Sequence, residues 1–535
     1  MMAAHTVEPR QTSEVLLSNE ALAARVEVVA IVIAAGLTGC LLMDANWRML
    51  GEAFATADLA SDSLRTLDAK SFDRFTGTWP VALFEYPGVF QFYWRAFFEW
   101  MIQDVLAIGT AYQATFASHV SFNVGALAWV SIAIARFARG SFVGLLCYAA
   151  SVAWFSDSFV YLTTLWAPLA AVIPAYACFL SCAFAAAGSF RHWPPAVFLG
   201  AVVGGSYLPT MVPVAAALAT AWLVFVVLHR GSTFATLRSH KGSLLLSLIL
   251  GLVVVTPSII DAAIESPDNV DRIVEALGTS VVSVSGDQMD LLLRPLTAEA
   301  FGQQLGSLAT LCAGVLLLAS IRPRDWLVGR DLGVPLAAVL VSLAVYFSLR
   351  LSFESIGALV PTHAGWFLVG LPPLVLSALL YFAAQPSRRI EEYRRSLLAL
   401  VISLVLLGWT CAFGAWTNLH LVEGSYMNGM ERQGLLSSFT TFLLEHTEIG
   451  DRVELTYEHD GSEPNRVAVG LADFLRRHGR TVCTADSEFN RLMFAVRASC
   501  PVDTIDVRVL TVPEASCDGR CAIVDHAFGL VVSRP

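Results

Sequence analysis

Charge is scarce in this 535-residue chain. Only 15% of its residues are Asp, Glu, Lys or Arg, against 56% hydrophobic. A soluble protein of this size needs more charge on its surface, so composition excludes that class. A basic excess is also missing: the formal net charge is −10, which sets nucleic acid aside as a partner. No Gly-rich loop of the kind that cradles nucleotide phosphates occurs. A small-residue cleavage site is lacking after the first apolar run, so that run is read as a retained helix rather than a removed signal peptide.

What the chain has instead is long apolar runs, with a mean hydropathy of +0.62. They fall at Val26–Met43, Val120–Ala135, Ser141–Phe155, Tyr161–Gly188, Ala196–Leu208, Val212–Leu228, Ser243–Ile260, Leu305–Ile321, Leu332–Leu349, Phe367–Ala384 and Leu397–Trp416. Runs of this length suit a bilayer core, and the pattern predicts an α-helical polytopic membrane protein of about 11 helices. With the N-terminus in the cytoplasm, fifteen Arg and Lys fall on the cytoplasmic side and eight on the other, although the outer loops are longer. This positive-inside bias puts everything after Trp416 outside.

Three parts follow. Residues 1–25 form a polar cytoplasmic lead. Residues 26–416 form the membrane domain, with outer loops at 44–119 and 261–304, the second carrying eight acids against Arg272 and Arg294. Residues 417–535 turn polar and predict a small α/β extracytoplasmic domain. There "DRVELTYE" and "TIDVRVLTV" alternate as strands do, "RVAVGLADFLRRHG" has helical spacing ending in Gly, and "CAIVDHAFGLVV" reads as a closing strand. Of ten cysteines, Cys483, Cys500, Cys517 and Cys521 lie in this tail. An even set in an oxidising compartment suggests the bridges Cys483–Cys500 and Cys517–Cys521; four free thiols is the other reading.

The first outer loop concentrates chemistry. Asp58 and Asp62, in "ATADLASDSLRTL", are spaced to share one helix face. Two like charges so placed repel, which can lift one towards a useful basicity. Solvation of an outer loop is the plainer role for both. Asp44 stands at the end of the first apolar run. After the loop comes "FEYPGVFQFYWRAFFEW", where Pro87–Gly88 breaks regular structure and seven aromatics follow. Tyr86, Pro87, Gly88, Tyr93 and Trp94 are candidates to meet a substrate; an interfacial aromatic belt is the alternative. Arg350 is placed either to hold a phosphate or to snorkel to the headgroups. His363 is placed either to orient a substrate or to serve structure alone.

The stretch "TGTWPVALFEYPGVFQFYWRAFF" resembles the first-loop signature of bacterial GT-C-type polytopic glycosyltransferases, keeping Gly77, Pro87, Gly88, Phe92 and Tyr93. Tyr86 replaces the branch's His, Val81 its Arg and Val89 its second Pro. "LWAPLAAVIP" and "TPSIIDAAIESPDNVDRI" resemble two later motifs through Trp166, Pro168 and Pro174 and through Asp261, Pro267 and Asn269. The segment "VAVGLADFLRRHGRTV" is similar to the soluble domain that closes such chains. The resemblance implies an inverting sugar transfer from a polyprenyl-phosphate donor to a glycan or lipid acceptor at the outer face of a bacterial cytoplasmic membrane. Asp58 or Asp62 would be the general base, with Asp44 behind them. Some members use magnesium or manganese. A transporter or flippase for a lipid-linked substrate is the competing class, but the runs are nearly free of buried charge. A non-catalytic scaffold of an envelope complex is the third. Membrane lipids are partners in every case.

Overall fold

A computed structural model describes residues 9–51, 54–55, 57–72, 88–137, 142–157, 160–163, 170–206, 210–228, 233–264, 271, 397, 400–405, 430–431, 433–457, 462–484, 504–511, 521–524 and 528–533. The first helix, α1 (Pro9–Gly51), contains the expected run Val26–Met43 and continues past it on both sides. Its 43 residues extend about 64 Å at 1.5 Å per residue, twice a hydrocarbon core of about 30 Å. After it come the two-residue strand β1 (Phe54–Ala55), α2 (Ala57–Lys70) and α3 (Phe90–Glu99), which runs into a π-helical turn, Trp100–Val105.

The bundle follows as α4 (Ala111–Phe137), α5 (Val143–Asp157), α6 (Val160–Thr163), α7 (Val172–Ala186), a 3₁₀ turn (Phe190–His192), α8 (Trp193–Ser206), α9 (Met211–Leu228), α10 (Thr233–Ser239) and α11 (Lys241–Ile264). Three described stretches are long and apolar enough to cross a bilayer: Leu22–Gly51, Ala111–Arg136 and Lys241–Ile260. Shorter apolar helices pack with them, and the chain is a multi-pass membrane protein. The run Tyr161–Gly188, expected as one helix, is broken, with a turn at Ala171 immediately before α7 begins at Val172. Pro174 sits in the first turn of α7, where a missing N–H costs nothing. The runs Leu305–Ile321, Leu332–Leu349 and Phe367–Ala384 lie outside the described residues, as does most of Leu397–Trp416.

The bundle core is rich in small side chains: Ala133, Ala135, Ala149, Ala153, Ala177 and Ala183 are all buried. Without a hydrophobic force between helices in lipid, such residues let backbones approach and gain dispersion contacts. One buried acid pins the arrangement. Glu27 of α1 accepts hydrogen bonds from the Gly144 and Leu145 N–H groups at 2.7 and 3.2 Å, satisfying donors left open at the start of α5.

The C-terminal segment folds as a mixed five-stranded sheet with helices against it. Its elements are β2 (Met430–Glu431), α12 (Gln433–His446), β3 (Arg452–Tyr457), α13 (Ser462–Arg477), β4 (Thr481–Cys483), β5 (Ile505–Thr511), β6 (Cys521–Val524) and β7 (Phe528–Ser533). The strand order is β4-β3-β5-β7-β6, with β3 parallel to β4 and β5 and the last two pairings antiparallel. "CAIVDHAFGLVV" is thus two strands of a hairpin, not one. Helix α13 closes as its sequence predicts, with Gly479 at φ +78° and the Arg480 N–H returning to the Leu475 carbonyl. Cys483 is disulfide-bonded.

This domain is not built from the C-terminal segment alone. Leu59, Ala60 and Leu64 of α2, with Ala55, are buried in one cluster with Val453, Leu455, Val467 and Leu471. Strand β1 pairs antiparallel with β2 through Phe54–Glu431 and Ala55–Met430. The segment between α1 and α3 therefore supplies a helix and a strand to a core whose other members come more than 370 residues later.

Candidate functional site

The first loop, α4 and the C-terminal domain meet at a buried polar node. Arg477 of α13 donates to both carboxylate oxygens of Glu99 on α3, at 3.1 and 3.2 Å. It also donates to Asp473 on its own helix at 3.0 Å and to the Ser63 hydroxyl of α2 at 2.6 Å. Asp473 accepts from Ser63 at 2.9 Å and from the Tyr112 hydroxyl of α4 at 2.6 Å. Glu99 and Asp473 are wholly buried. Burial pushes the Glu99 carboxyl above its ordinary value of 4.5, while the Arg477 charge pulls it back. Burial works against the Arg477 charge too, but the Asp473 and Glu99 carboxylates overcome it and hold the guanidinium above its usual range. A paired and hydrogen-bonded charge set of this kind tolerates burial; half of one does not. At the rim, Arg476 pairs with Asp68 at 2.7 Å and Lys70 with Asp104 at 2.7 Å.

Beside this node, Asp62 is a second buried acid. Its Oδ2 lies 3.0 Å from Arg95 Nη1 and its Oδ1 3.9 Å from Arg65 Nη1. Arg65 also donates to the Ser61 hydroxyl. Arg95 is fully buried, although it stands in the most aromatic stretch of the chain. The reason lies in how α3 divides its faces. Gln91, Phe92, Arg95, Ala96 and Glu99 form the buried stripe, while Phe97 and Trp100 are exposed on the other. The polar side chains Gln91, Arg95 and Glu99 point in with Phe92, while Phe97 and Trp100 point out. Trp94 anchors the helix to α4 by donating to the Ser118 carbonyl at 2.8 Å.

The Pro-Gly break has a backbone partner. The Gly88 N–H donates to the Gly205 carbonyl at 2.9 Å, near the end of α8. A Cβ on Gly88 would lie 2.2 Å from the Gly205 carbonyl carbon. The two backbones touch as only glycine permits. Gly88 thus ties the start of α3 to the bundle.

Of the other residues singled out in the sequence, Asp44 lies on α1 with its side chain exposed. Asp58 lies on α2, one turn before Asp62, with its side chain outside the described residues. Tyr93 packs against the small cluster of Ala69, Phe92 and Ala96. Tyr86, Pro87, Arg350 and His363 lie outside the described residues. Among the described residues, no three His, Cys, Asp or Glu side chains converge where magnesium or manganese could be held. Sequence reading missed Glu99, Tyr112, Asp473 and Arg477. Their one signal is an acid, Asp473, set beside Leu471, Ala472 and Leu475 on an otherwise apolar helix face.

The described residues form an apolar helical bundle and a small α/β domain, with the helices of the first loop packed against both, and this fold is shared with a solved membrane protein. The structural likeness is to ArnT from Cupriavidus metallidurans in the apo state, at TM-score 0.52 and 12% identity, over 94% of this chain and 97% of that one. An oligosaccharyltransferase from Archaeoglobus fulgidus matches at TM-score 0.33 and 11% identity over 85% of this chain and 64% of that one, too distant to carry weight. No protein-family model matches the chain, and no curated protein matches it by sequence.

Proposed function

We propose that this protein is an inverting glycosyltransferase that takes a sugar from a polyprenyl-phosphate donor and passes it to an envelope acceptor at the outer face of the cytoplasmic membrane. The observation that carries the reading is the ArnT-like fold over nearly the whole chain. In this reading residues 26–416 are the membrane domain, 1–25 lie in the cytoplasm, and 417–535 lie outside with α2 built into them. An alkaline phosphatase fused to the C-terminus is then active; an inactive fusion that is nonetheless made overturns the placement.

Transfer needs a carboxylate that can take a proton from the acceptor hydroxyl as it attacks the anomeric carbon, while the lipid phosphate departs. Access divides the first-loop acids. Asp62 is enclosed with Arg95, so it positions α2 against α3. Asp44 presents an exposed carboxylate toward the outer end of α1 and takes the general-base role. The aromatic face of α3, with Trp94, Phe97 and Trp100, supplies an apolar surface for the isoprenoid chain. Replacing Asp44 by Asn keeps shape and removes the proton acceptor, so transfer falls by about 10²- to 10⁴-fold. The assay is envelope-glycan profiling of a host lacking the chromosomal copy, with membrane levels matched by immunoblot. Full complementation by Asp44→Asn, and by Asp58→Asn beside it, refutes this assignment.

A further inference from the structure

Four polar links join the C-terminal domain and its borrowed helix α2 to α3, the π-helical turn and α4. They run from Asp62 to Arg95, Lys70 to Asp104, Arg477 to Glu99 and Asp473 to Tyr112. Apolar contact along the same seam comes from Ala69 against Phe92 and Ala96, and from Tyr112 against the domain core. A seam in which polar links are this prominent resembles the interfaces across which domains of one chain shift.

At the centre of the seam the charges do not balance. Glu99 and Asp473 share one guanidinium, that of Arg477. Its three nitrogens and the four carboxylate oxygens are all engaged with one another, with Ser63 or with Tyr112. With both acids ionised, the node therefore holds one surplus negative charge out of water. Among the described residues, the other charges around it are already paired: Lys70 of α2 with Asp104, Arg476 of α13 with Asp68, and Arg95 of α3 with Asp62. Helix α4 presents only the neutral hydroxyls of Tyr112 and Thr115 to the two acids. A buried surplus charge of this sign draws a proton. The two acids are not equal recipients. Asp473 accepts from Ser63 at 2.9 Å and Tyr112 at 2.6 Å as well as from Arg477, and such bonds hold a carboxylate in its charged form. Glu99 depends on Arg477, with the Thr115 hydroxyl at 3.5 Å. The proton belongs on Glu99, and burial raises that carboxyl even against the pull of Arg477.

We propose that seating the C-terminal domain on α3 takes up one proton at Glu99, so that the seam closes more firmly as its surroundings become more acidic. Off the seat and in water, Glu99 titrates at its ordinary 4.5; on the seat it titrates higher. Seating is thus strongest below 4.5 and weakens by up to about tenfold per pH unit as pH rises through the seated value, then levels off. The device is separate from the proposed sugar transfer, and its test needs no glycosyl donor. Full-length wild-type protein and E99Q, in a neutral detergent, are footprinted with hydroxyl radicals from about pH 5 to about pH 9. Labelling of Tyr112 is read by mass spectrometry and compared between the two proteins at each pH, so that the chemistry of labelling cancels. Tyr148, fully buried in α5, reports that the bundle stays folded. Wild-type Tyr112 should label severalfold more as pH rises, while E99Q, whose neutral amide mimics the protonated acid, should stay protected throughout. A flat wild-type profile overturns the proposal, and so does an equal rise in E99Q. If E99Q labels at Tyr148 too, K70Q decides. Removing a positive charge that pulls Glu99 down should move the rise in Tyr112 labelling to higher pH, and an unmoved rise overturns the assignment to Glu99.

Discussion

Replacing Arg477 by Met tests whether the first loop and the C-terminal domain form one unit. The thioether fills much of the same space, but Glu99 then keeps only the Thr115 hydroxyl at 3.5 Å, and Asp473 keeps Ser63 and Tyr112. Removing one partner from a buried ion pair leaves the other charge uncompensated, at a cost of about 3–5 kcal/mol. Thermal unfolding in detergent should register a large drop, and protease should cut near α2 and α13 at lower temperatures. The loss should depend on pH. Burial already raises Glu99 above its ordinary 4.5 when folded, and without Arg477 only the weaker pull of the Lys70 charge opposes that rise. A group whose folded pKa is raised adds stability that is fully present below its unfolded value and is lost as pH rises through the folded value. The variant should therefore be closest to wild type near pH 4.5 and furthest from it at pH 8. Adding Glu99→Gln should recover part of the loss, since residues in one network do not add. A drop below about 1 kcal/mol, typical of an exposed pair, with no pH dependence, would refute the reasoning.

Gly88→Ala and Gly205→Ala should each separate α3 from α8, because a Cβ at either position meets the other backbone at 2.2 to 2.8 Å. A fluorophore at the α3–α8 contact should report the gap, and unchanged spectra would count against the contact. His192 is buried, and its imidazole is held down to about 3, first by burial and then by Arg191 and Arg136. A depressed pKa makes folding lose stability as pH falls below the ordinary 6.5, by up to about 1.4 kcal/mol per unit. Melting measured from pH 7 to 5 should show this slope, and His192→Phe should flatten it; an equal slope in the variant would discard the explanation.

The spans of α1, α4 and α11 were legible because lipid leaves no subtlety: some twenty apolar residues in a row announce themselves. Helix α13 and its Gly479 stop were legible for a local reason too, since amphipathic spacing and a left-handed cap are written within a few residues. The hairpin of β6 and β7 was read as one strand because both arms are apolar and only Asp525 and His526 between them are polar. The node was out of reach. Arg477 and Glu99 are 378 residues apart, and nothing in "FFEW" or "FLRRHG" names the other. Asp62 attracted notice as an acid, but nothing in its own stretch names Arg95, 33 residues later, as its counter-ion.

The strand and helix lent by the first loop bear on how the protein is made. Arg476 and Asp68 are separated by 408 residues, which a ribosome covers in roughly 20–80 s at about 5–20 residues per second. Throughout that wait the sheet that covers Leu59 and Leu64 of α2 does not yet exist. The Arg95, Arg65 and Asp62 contacts of α2 arrive early, from residues only tens of positions away, and can hold the helix near α3 in the meantime. The C-terminal sheet then closes over a piece already waiting for it. Synthesised alone, that domain would lack an interior wall, and a chain stalled before residue 430 would leave the apolar face of α2 uncovered.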